Sequence, residues 1–240
     1  MTPKFFEIWV YLSASPLLWL TVTLLAYQAA YLIYRASGMN PLANPVLISV
    51  SFIVCVLLAS GTPYETYFDG AQFVHFLIGP STVALAIPLY AQLERLKAMF
   101  VPVMIATLVG SITAIGSAVA IGWALGASTE TLLSLAPKSA TLPIAMGVAE
   151  KIGGLPSLTA VTVAITGISG AIMVRALLNL IGVKDYAVRG FAVGITAHGI
   201  GTARALQVSE TAGAFSALAM ALNGVATTLL LTFAIKLMGN

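Results

Sequence analysis

Apolar runs long enough to cross a bilayer recur along this chain, and its few charges collect between them. The charged share is 8% and the hydrophobic share 59%, whereas about 25% of residues are charged in soluble domains. A spanning helix takes about 20 apolar residues, so 240 residues allow a compact bundle with no length left for a soluble domain. The sequence therefore predicts an all-α, polytopic membrane helical bundle, one domain over residues 1–240. A net charge of +3 reflects basic residues kept at cytoplasmic loops and needs no nucleic-acid partner. Cys55 is the only cysteine, which leaves no disulfide within the chain and no thiolate metal site.

Met1 to Ser13 reads as an aromatic, mixed-charge lead at the membrane surface, and Glu7 argues against a cleaved signal peptide. Ser15-Pro16 opens a span to about Tyr34 anchored by Arg35, and a second runs Val46 to Ser60. Ala71 to Arg95 is apolar but interrupted by Gly79-Pro80, and proline inside a helix removes a donor and clashes with the preceding turn. Two half-helices are expected there, the second capped by Ser81 or Thr82. Further spans are expected at Phe100–Leu125, Leu158–Ile181 and Phe215–Leu237. GxxxG spacings at Gly122 and Gly126 and at Gly190 and Gly194 suit close helix contact.

Two more segments carry interruptions. Glu130 to Lys151 breaks at Ala136-Pro-Lys-Ser-Ala-Thr-Leu-Pro143, and Tyr186 to Val208 breaks within GITAHGIGTARAL, Gly194 to Leu206. A shift of 57 residues lays Gly79-Pro80-Ser81-Thr82 on Ala136-Pro137-Lys138-Ser139, and the same interval relates Gly110, Gly167 and Gly224. The pattern suggests inverted repeats of a broken element followed by a straight span. Discontinuous helices point to a transporter site, because half-helix amino termini offer amides and a positive dipole to an anion near the midplane. With Arg35 and the Glu94–Lys97 cluster inside, the acidic Glu65–Asp69 loop and the amino terminus fall outside.

Polar residues at the breaks admit two readings each. Lys138 is either a cation for a carboxylate, with Ser139 and Thr141 adding hydroxyls, or a lysine snorkelling to the interface. Arg204 either recognises a carboxylate or pairs with Glu210. His198 is either a proton-binding group or a satisfied hydrogen-bonding one, and Gly199, Gly201 and Thr202 make its surroundings a plausible site. Glu150, Lys151 and Arg175 read as interfacial. No HExxH, GxSxG or P-loop is present, and GIGTAR lacks a surrounding strand–helix–strand unit, so an enzyme is not expected. Two histidines 123 residues apart make no metal site, and no cofactor is expected.

Taken together, GPSTVALAIPLY, APKSATLPIAMGVAEKIGG, SLTAVTVAITGISGA and AHGIGTARAL resemble the LrgB/CidB family of bacterial membrane proteins, over roughly residues 61–240. Gly147, after PIAM, departs from the pattern without disturbing the match. The resemblance implies one of two functions. One is antiholin-like modulation of murein hydrolase activity and cell lysis with an LrgA/CidA-type membrane partner. The other is transport of small monocarboxylates such as pyruvate or glycolate, coupled to protons or sodium. The broken helices favour transport by a cytoplasmic-membrane protein, expected as a homodimer. The expected substrate-binding residues are Ser81, Thr82, Lys138, Ser139, Thr141, His198, Gly199, Gly201, Thr202 and Arg204.

Overall fold

The computed structural model describes residues 15–237, so the lead from Met1 to Ser13 lies outside the described residues. The regular elements among these residues are all helices, with no strand. Five helical stretches are long and apolar enough to cross a membrane: Pro16–Ala36, Tyr64–Ala91, Phe100–Ala124, Pro156–Leu180 and Glu210–Leu237. The chain is a multi-pass α-helical membrane protein and divides into two compact units, residues 1–84 and 85–240.

In the amino-terminal unit, α1 (Pro16–Ala36) packs against α2 (Pro45–Ser60) and α3 (Tyr64–Phe76). Both α1 and α2 begin on a proline, whose missing N–H costs nothing at the first helical position. Asn44 caps α2 by accepting from the Val46 and Leu47 amides at 2.9 and 3.2 Å. Trp19 is fully buried and meets Tyr67 edge-on at 5.8 Å between ring centroids. Gly70 makes the contact possible, because a Cβ there would strike the Pro16 backbone. The unit ends with α4 (Ile78–Ala84).

Here the expectation at Gly79-Pro80 needs correction. The interruption falls one residue before α4, at Leu77, and Gly79 and Pro80 lie within the first turn of α4. A proline is tolerated in a first turn, where its N–H would lack a helical acceptor anyway. Ser81 and Thr82 consequently sit inside α4 and not at a cap.

The carboxy-terminal unit begins with two six-residue helices, α5 (Ala86–Ala91) and α6 (Leu93–Ala98). The straight spans α7 (Phe100–Ala124) and α10 (Pro156–Leu180) each have 25 residues, about 37 Å at 1.5 Å per residue. That exceeds a hydrocarbon core of about 30 Å. Between them lie α8 (Thr129–Leu135) and α9 (Leu142–Ile152). The last two helices are α11 (Tyr186–Val208) and α12 (Glu210–Leu237), whose first residue is Glu210 and not Phe215. The turn between them is the single extended residue Ser209, with φ −162° and ψ 138°.

The α11–α12 pair is the most extensive helix contact among the described residues. Lipid gives helices no hydrophobic reason to associate, so close van der Waals packing of small residues does the work. Gly190 and Gly194 supply it: a Cβ on either would run into the backbone carbonyl of Ala212 or Ser216. This GxxxG pair is therefore spent inside the chain. The other pair divides, since Gly122 packs on Leu132 and Leu135 while Gly126, at φ +80°, ends a helix with no neighbour near its α-carbon. Val103, Ala187, Phe191, Ile195, Phe215 and Ala219 form the main apolar cluster beside the α11–α12 contact.

One end of α11 is fixed electrostatically. Asp185 accepts from the Ala187 and Val188 amides at 2.8 and 3.1 Å, and from Arg95 Nη2 at 2.7 Å. Arg95 also lies 5.6 Å from the centroid of the Phe215 ring, a cation–π distance. The Val188 amide, with the Ala187 amide and Arg95 adding to it, holds the Asp185 carboxyl below its ordinary value.

Candidate functional site

Two interrupted elements lie in the carboxy-terminal unit. The first is the turn from Ala136 to Thr141 between α8 and α9, whose halves are about 10 and 16 Å long at 1.5 Å per residue. Neither length crosses a bilayer. The chain turns through bonds from Lys138 N to Leu135 O at 3.1 Å and from Ala140 N to Pro137 O at 3.0 Å. Thr141 then goes extended at φ −64° and ψ 148°, and its side chain makes no capping bond to the start of α9. Ser139 is buried and accepts from Lys138 Nζ at 3.1 Å, while Lys138 itself is half-buried.

The second interruption is one residue wide. His198 has φ 39° and ψ −132°, splitting α11 into Tyr186–Ala197 and Gly199–Val208. A positive φ on a residue with a Cβ is strained and persists only where its surroundings hold it. Here the Thr202 hydroxyl donates to the His198 carbonyl at 2.7 Å and lies 2.9 Å from the Ser216 hydroxyl. The imidazole Nε2 lies 2.9 Å from the Val163 carbonyl on α10. A carbonyl only accepts, so Nε2 carries the hydrogen and Nδ1 is the nitrogen left to take up a proton. Gly167 opens the path: a Cβ there would lie 2.6 Å from His198 Cε1.

Asn223 on α12 joins the two breaks. It is fully buried, and its Nδ2 donates to the Ser139 carbonyl at 2.9 Å and to the Ile195 carbonyl at 3.3 Å. Ile195 stands just before His198, where the interruption takes carbonyls out of the regular helical ladder. The Asn223 Oδ1 accepts from the Ser111 hydroxyl of α7 at 2.7 Å. A second connection runs through α10, where Val163 packs with Ala140 in the first break and Ala145 in the α9 turn that follows it. Ile144, in the first turn of α9, reaches Gly224 of α12. The amino-terminal ends of α9 and of the second half of α11 thus open beside the same stretch of α10 and α12.

Of the residues expected to line a site, Lys138, Ser139 and Thr141 fall on the first break, His198 is the second, and Gly199, Gly201 and Thr202 lie in the first turn of the half-helix after it. Gly201 is buried where a Cβ would strike Ala197 and Val193, so its smallness serves packing. Gly199 has only Met220 Sδ near, at 3.9 Å from an added Cβ. Arg204 is half-buried on the second half of α11, and Glu210 is exposed at the start of α12. Ser81 is exposed in the amino-terminal unit, and the Thr82 side chain lies outside what the structure describes. Among the described residues no group of three His, Cys, Asp or Glu side chains converges.

Sequence reasoning missed Asn223 and Ser111, and also Ser134. Ser134 is fully buried and accepts from Leu155 N at 2.7 Å, and its carbonyl accepts from Thr159 Oγ1 at 2.9 Å. It thereby ties α8 to the start of α10. The one signal for Asn223 is an amide within an otherwise apolar span, next to Gly224.

The profile of the LrgB-like family matches residues 23–237, across both units. Protein YwbG of Bacillus subtilis, itself uncharacterised, is 34% identical over 91% of this chain and 97% of its own. An antiholin-like protein LrgB of Bacillus mycoides is 29% identical over 94% of this chain and 98% of its own. A holin-like protein CidB of Staphylococcus epidermidis is 31% identical over 82% of this chain and 86% of its own. No solved structure matches. The expected resemblance therefore holds, and begins earlier in the chain than the motifs alone indicate: the protein belongs to the LrgB-like family.

Proposed function

We propose that the protein carries small monocarboxylates, such as pyruvate or glycolate, across the cytoplasmic membrane by alternating access. The observation that carries this reading is the meeting of two helix interruptions on Asn223, which sets two half-helix amino termini and Lys138 in one region. Half-helix amino termini suit a carboxylate through their amides and dipoles. In this reading Lys138 supplies the countercharge with Arg204 in support, and Ser139, Thr141 and Thr202 add hydroxyls. His198 takes up the coupling proton at Nδ1, sodium being the other candidate ion. Ser81 and Thr82 are proposed as carboxylate-binding hydroxyls on α4 of the amino-terminal unit, and the working state is a homodimer.

Uptake of labelled pyruvate and glycolate into proteoliposomes tests it. Wild-type protein is expected to accumulate at least one of them, and Lys138→Ala to lose most of that uptake. No uptake of either, with or without a small membrane partner, defeats the proposal.

A second reading is favoured by two relatives, an antiholin-like protein LrgB and a holin-like protein CidB. On this reading the protein modulates murein hydrolase activity and lysis together with an LrgA/CidA-type membrane subunit, and performs no chemistry of its own. It predicts that Lys138→Ala and His198→Ala leave lysis control intact. Substitutions at Gly190 or Gly194 do not discriminate between the readings, because those glycines pack α11 on α12 within one chain.

A further inference from the structure

We propose that Asn223 is the joint of the site: its amide holds the two interrupted elements in register and is a positioning residue for the bound anion. This rests on the transport reading for the anion and on geometry for the joint. Two breaks in separate elements, residues 136–141 and His198, must keep a fixed spacing if both are to face one small ligand. Asn223 connects them directly, giving one hydrogen to Ser139 O at 2.9 Å and the other to Ile195 O at 3.3 Å. Both partners are carbonyl acceptors, so the NH2 end of the amide must face them, and the oxygen must face Ser111. Ser111 donates to that oxygen at 2.7 Å, with Thr227 Oγ1 at 3.4 Å beside it. All four groups are nearly or fully inaccessible: Asn223 and Ser111 are 0% exposed, Thr227 2% and Ser139 4%.

The arrangement is asymmetric in a useful way. Asn223 and Ser111 belong to straight spans, α12 and α7, while the two carbonyls belong to the interrupted elements. The straight helices are a frame, and the amide is the point at which that frame grips both interrupted elements at once. Neither Asn223 nor Ser111 needs to touch the anion for its loss to be felt.

Asn223→Asp tests the joint without changing side-chain volume. An ionised carboxylate has no hydrogen to give and faces two carbonyl oxygens, whereas the protonated form restores one of the two bonds. Buried carboxyls titrate as high as about 8–9, so a pH range of roughly 5.5 to 8.5 samples both forms. The groups on the breaks that also titrate are Lys138 and His198, and dividing by wild type at each pH removes the part of their titration that the substitution leaves unchanged. Labelled pyruvate and glycolate uptake is measured for wild type, N223D and Ser111→Ala. The N223D-to-wild-type ratio of kcat/KM is expected to fall about tenfold from pH 5.5 to 8.5, mainly through KM, for one charge-assisted repulsion replacing a bond. Ser111→Ala frees the amide to turn and is expected to raise KM about three- to tenfold at every pH. A ratio flat within about twofold, with N223D as active as wild type, overturns the joint. Should wild type carry neither probe, the transport reading fails on its own. The joint is then read from the unfolding midpoint in detergent, where N223D minus wild type must fall with rising pH, and a pH-independent difference overturns it.

Discussion

Replacing Gly167 with alanine gives the sharpest test of how the second break is held. The new Cβ would sit 2.6 Å from His198 Cε1, 2.8 Å from Nε2 and 2.9 Å from Ile200 Cδ1. Carbon atoms are comfortable at about 3.5–4.0 Å, so the imidazole has to retreat by roughly 1 Å. Its 2.9 Å contact with Val163 O then stretches beyond hydrogen-bonding range, which ends near 3.2 Å for such donors by general geometry. A buried N–H left without its partner costs about 1–3 kcal/mol. Against this, alanine is better than glycine inside a helix by about 1 kcal/mol. The expected net loss is about 0–2 kcal/mol in wild type. In a His198→Ala background the ring is gone, the clash with it disappears, and Gly167→Ala should cost less or stabilise. The coupling between the two sites should therefore be about 1–3 kcal/mol, within the range for residues in contact. Circular dichroism of the four proteins during SDS titration in mixed micelles reads it directly. Additive effects, with coupling under about 0.5 kcal/mol, would refute the claim that Gly167 exists to admit the imidazole.

Gly147, by contrast, has nothing within 4 Å of an added Cβ on α9, so Gly147→Ala should raise stability by up to about 1 kcal/mol, and a loss in the same titration would count against the packing described. Gly194→Ala drives a methyl into the Ser216 carbonyl and should cost about 1–3 kcal/mol or more as overpacking; yield and monodispersity on size exclusion should fall with it. Ser134→Ala strips the Leu155 amide of its acceptor and should cost about 1–3 kcal/mol, visible as a lower unfolding midpoint. The Asp185 carboxyl is held below its ordinary value of 3.8 by the Val188 and Ala187 amides and Arg95. Its contribution is complete above that value and lost as pH falls below it; because the pair is half exposed, this acid-side loss should stay under about 1 kcal/mol. Asp185→Asn keeps the cap and should abolish that slope, which unfolding midpoints between pH 3 and 6 would show.

Much of the helical order was legible because it is written in local chemistry. Ser15-Pro16 marks a helix start by a rule that holds within four residues, and α1 begins there; α2 begins at Pro45, one residue before the expected Val46, and α11 at the expected Tyr186. The breaks at Ala136–Thr141 and His198 were legible for the same reason, being crowded with proline, glycine and polar side chains. Leu77 was not, because no residue type distinguishes it, whereas Gly79-Pro80 looks like a break and is an ordinary first turn. The start of α12 was hidden for a similar reason: a lone Ser209 turns the chain without glycine or proline. What periodicity and punctuation do not encode is which distant groups meet. Asn223 lies 84 residues from Ser139 and 112 from Ser111, and an amide in an apolar span advertises only that it needs a partner.

The interval of 57 residues acquires physical content from these contacts. Taken as letters, Gly110, Gly167 and Gly224 are the kind of coincidence a glycine-rich chain produces. In space each lies on a straight span where an interrupted element packs against it. Ile195 presses on Gly110 at 3.0 Å from an added Cβ, His198 on Gly167 at 2.6 Å, and Ile144 on Gly224 at 2.8 Å. An interrupted helix in lipid exposes backbone groups that must be satisfied within the protein. A neighbouring span can reach them only if it approaches closely, and a glycine is what permits that approach. The residues that hold the breaks stand beside those glycines or one turn away: Asn223, next to Gly224, bonds carbonyls of both interrupted elements, Val163, four residues before Gly167, meets the His198 ring, and Ser111, next to Gly110, fixes the Asn223 amide. Each straight span thus pairs a residue that yields space with one that supplies a bond. Losing the space at any of the three should disturb the bond beside it, so that glycine substitutions here act on the breaks and not merely on helix packing.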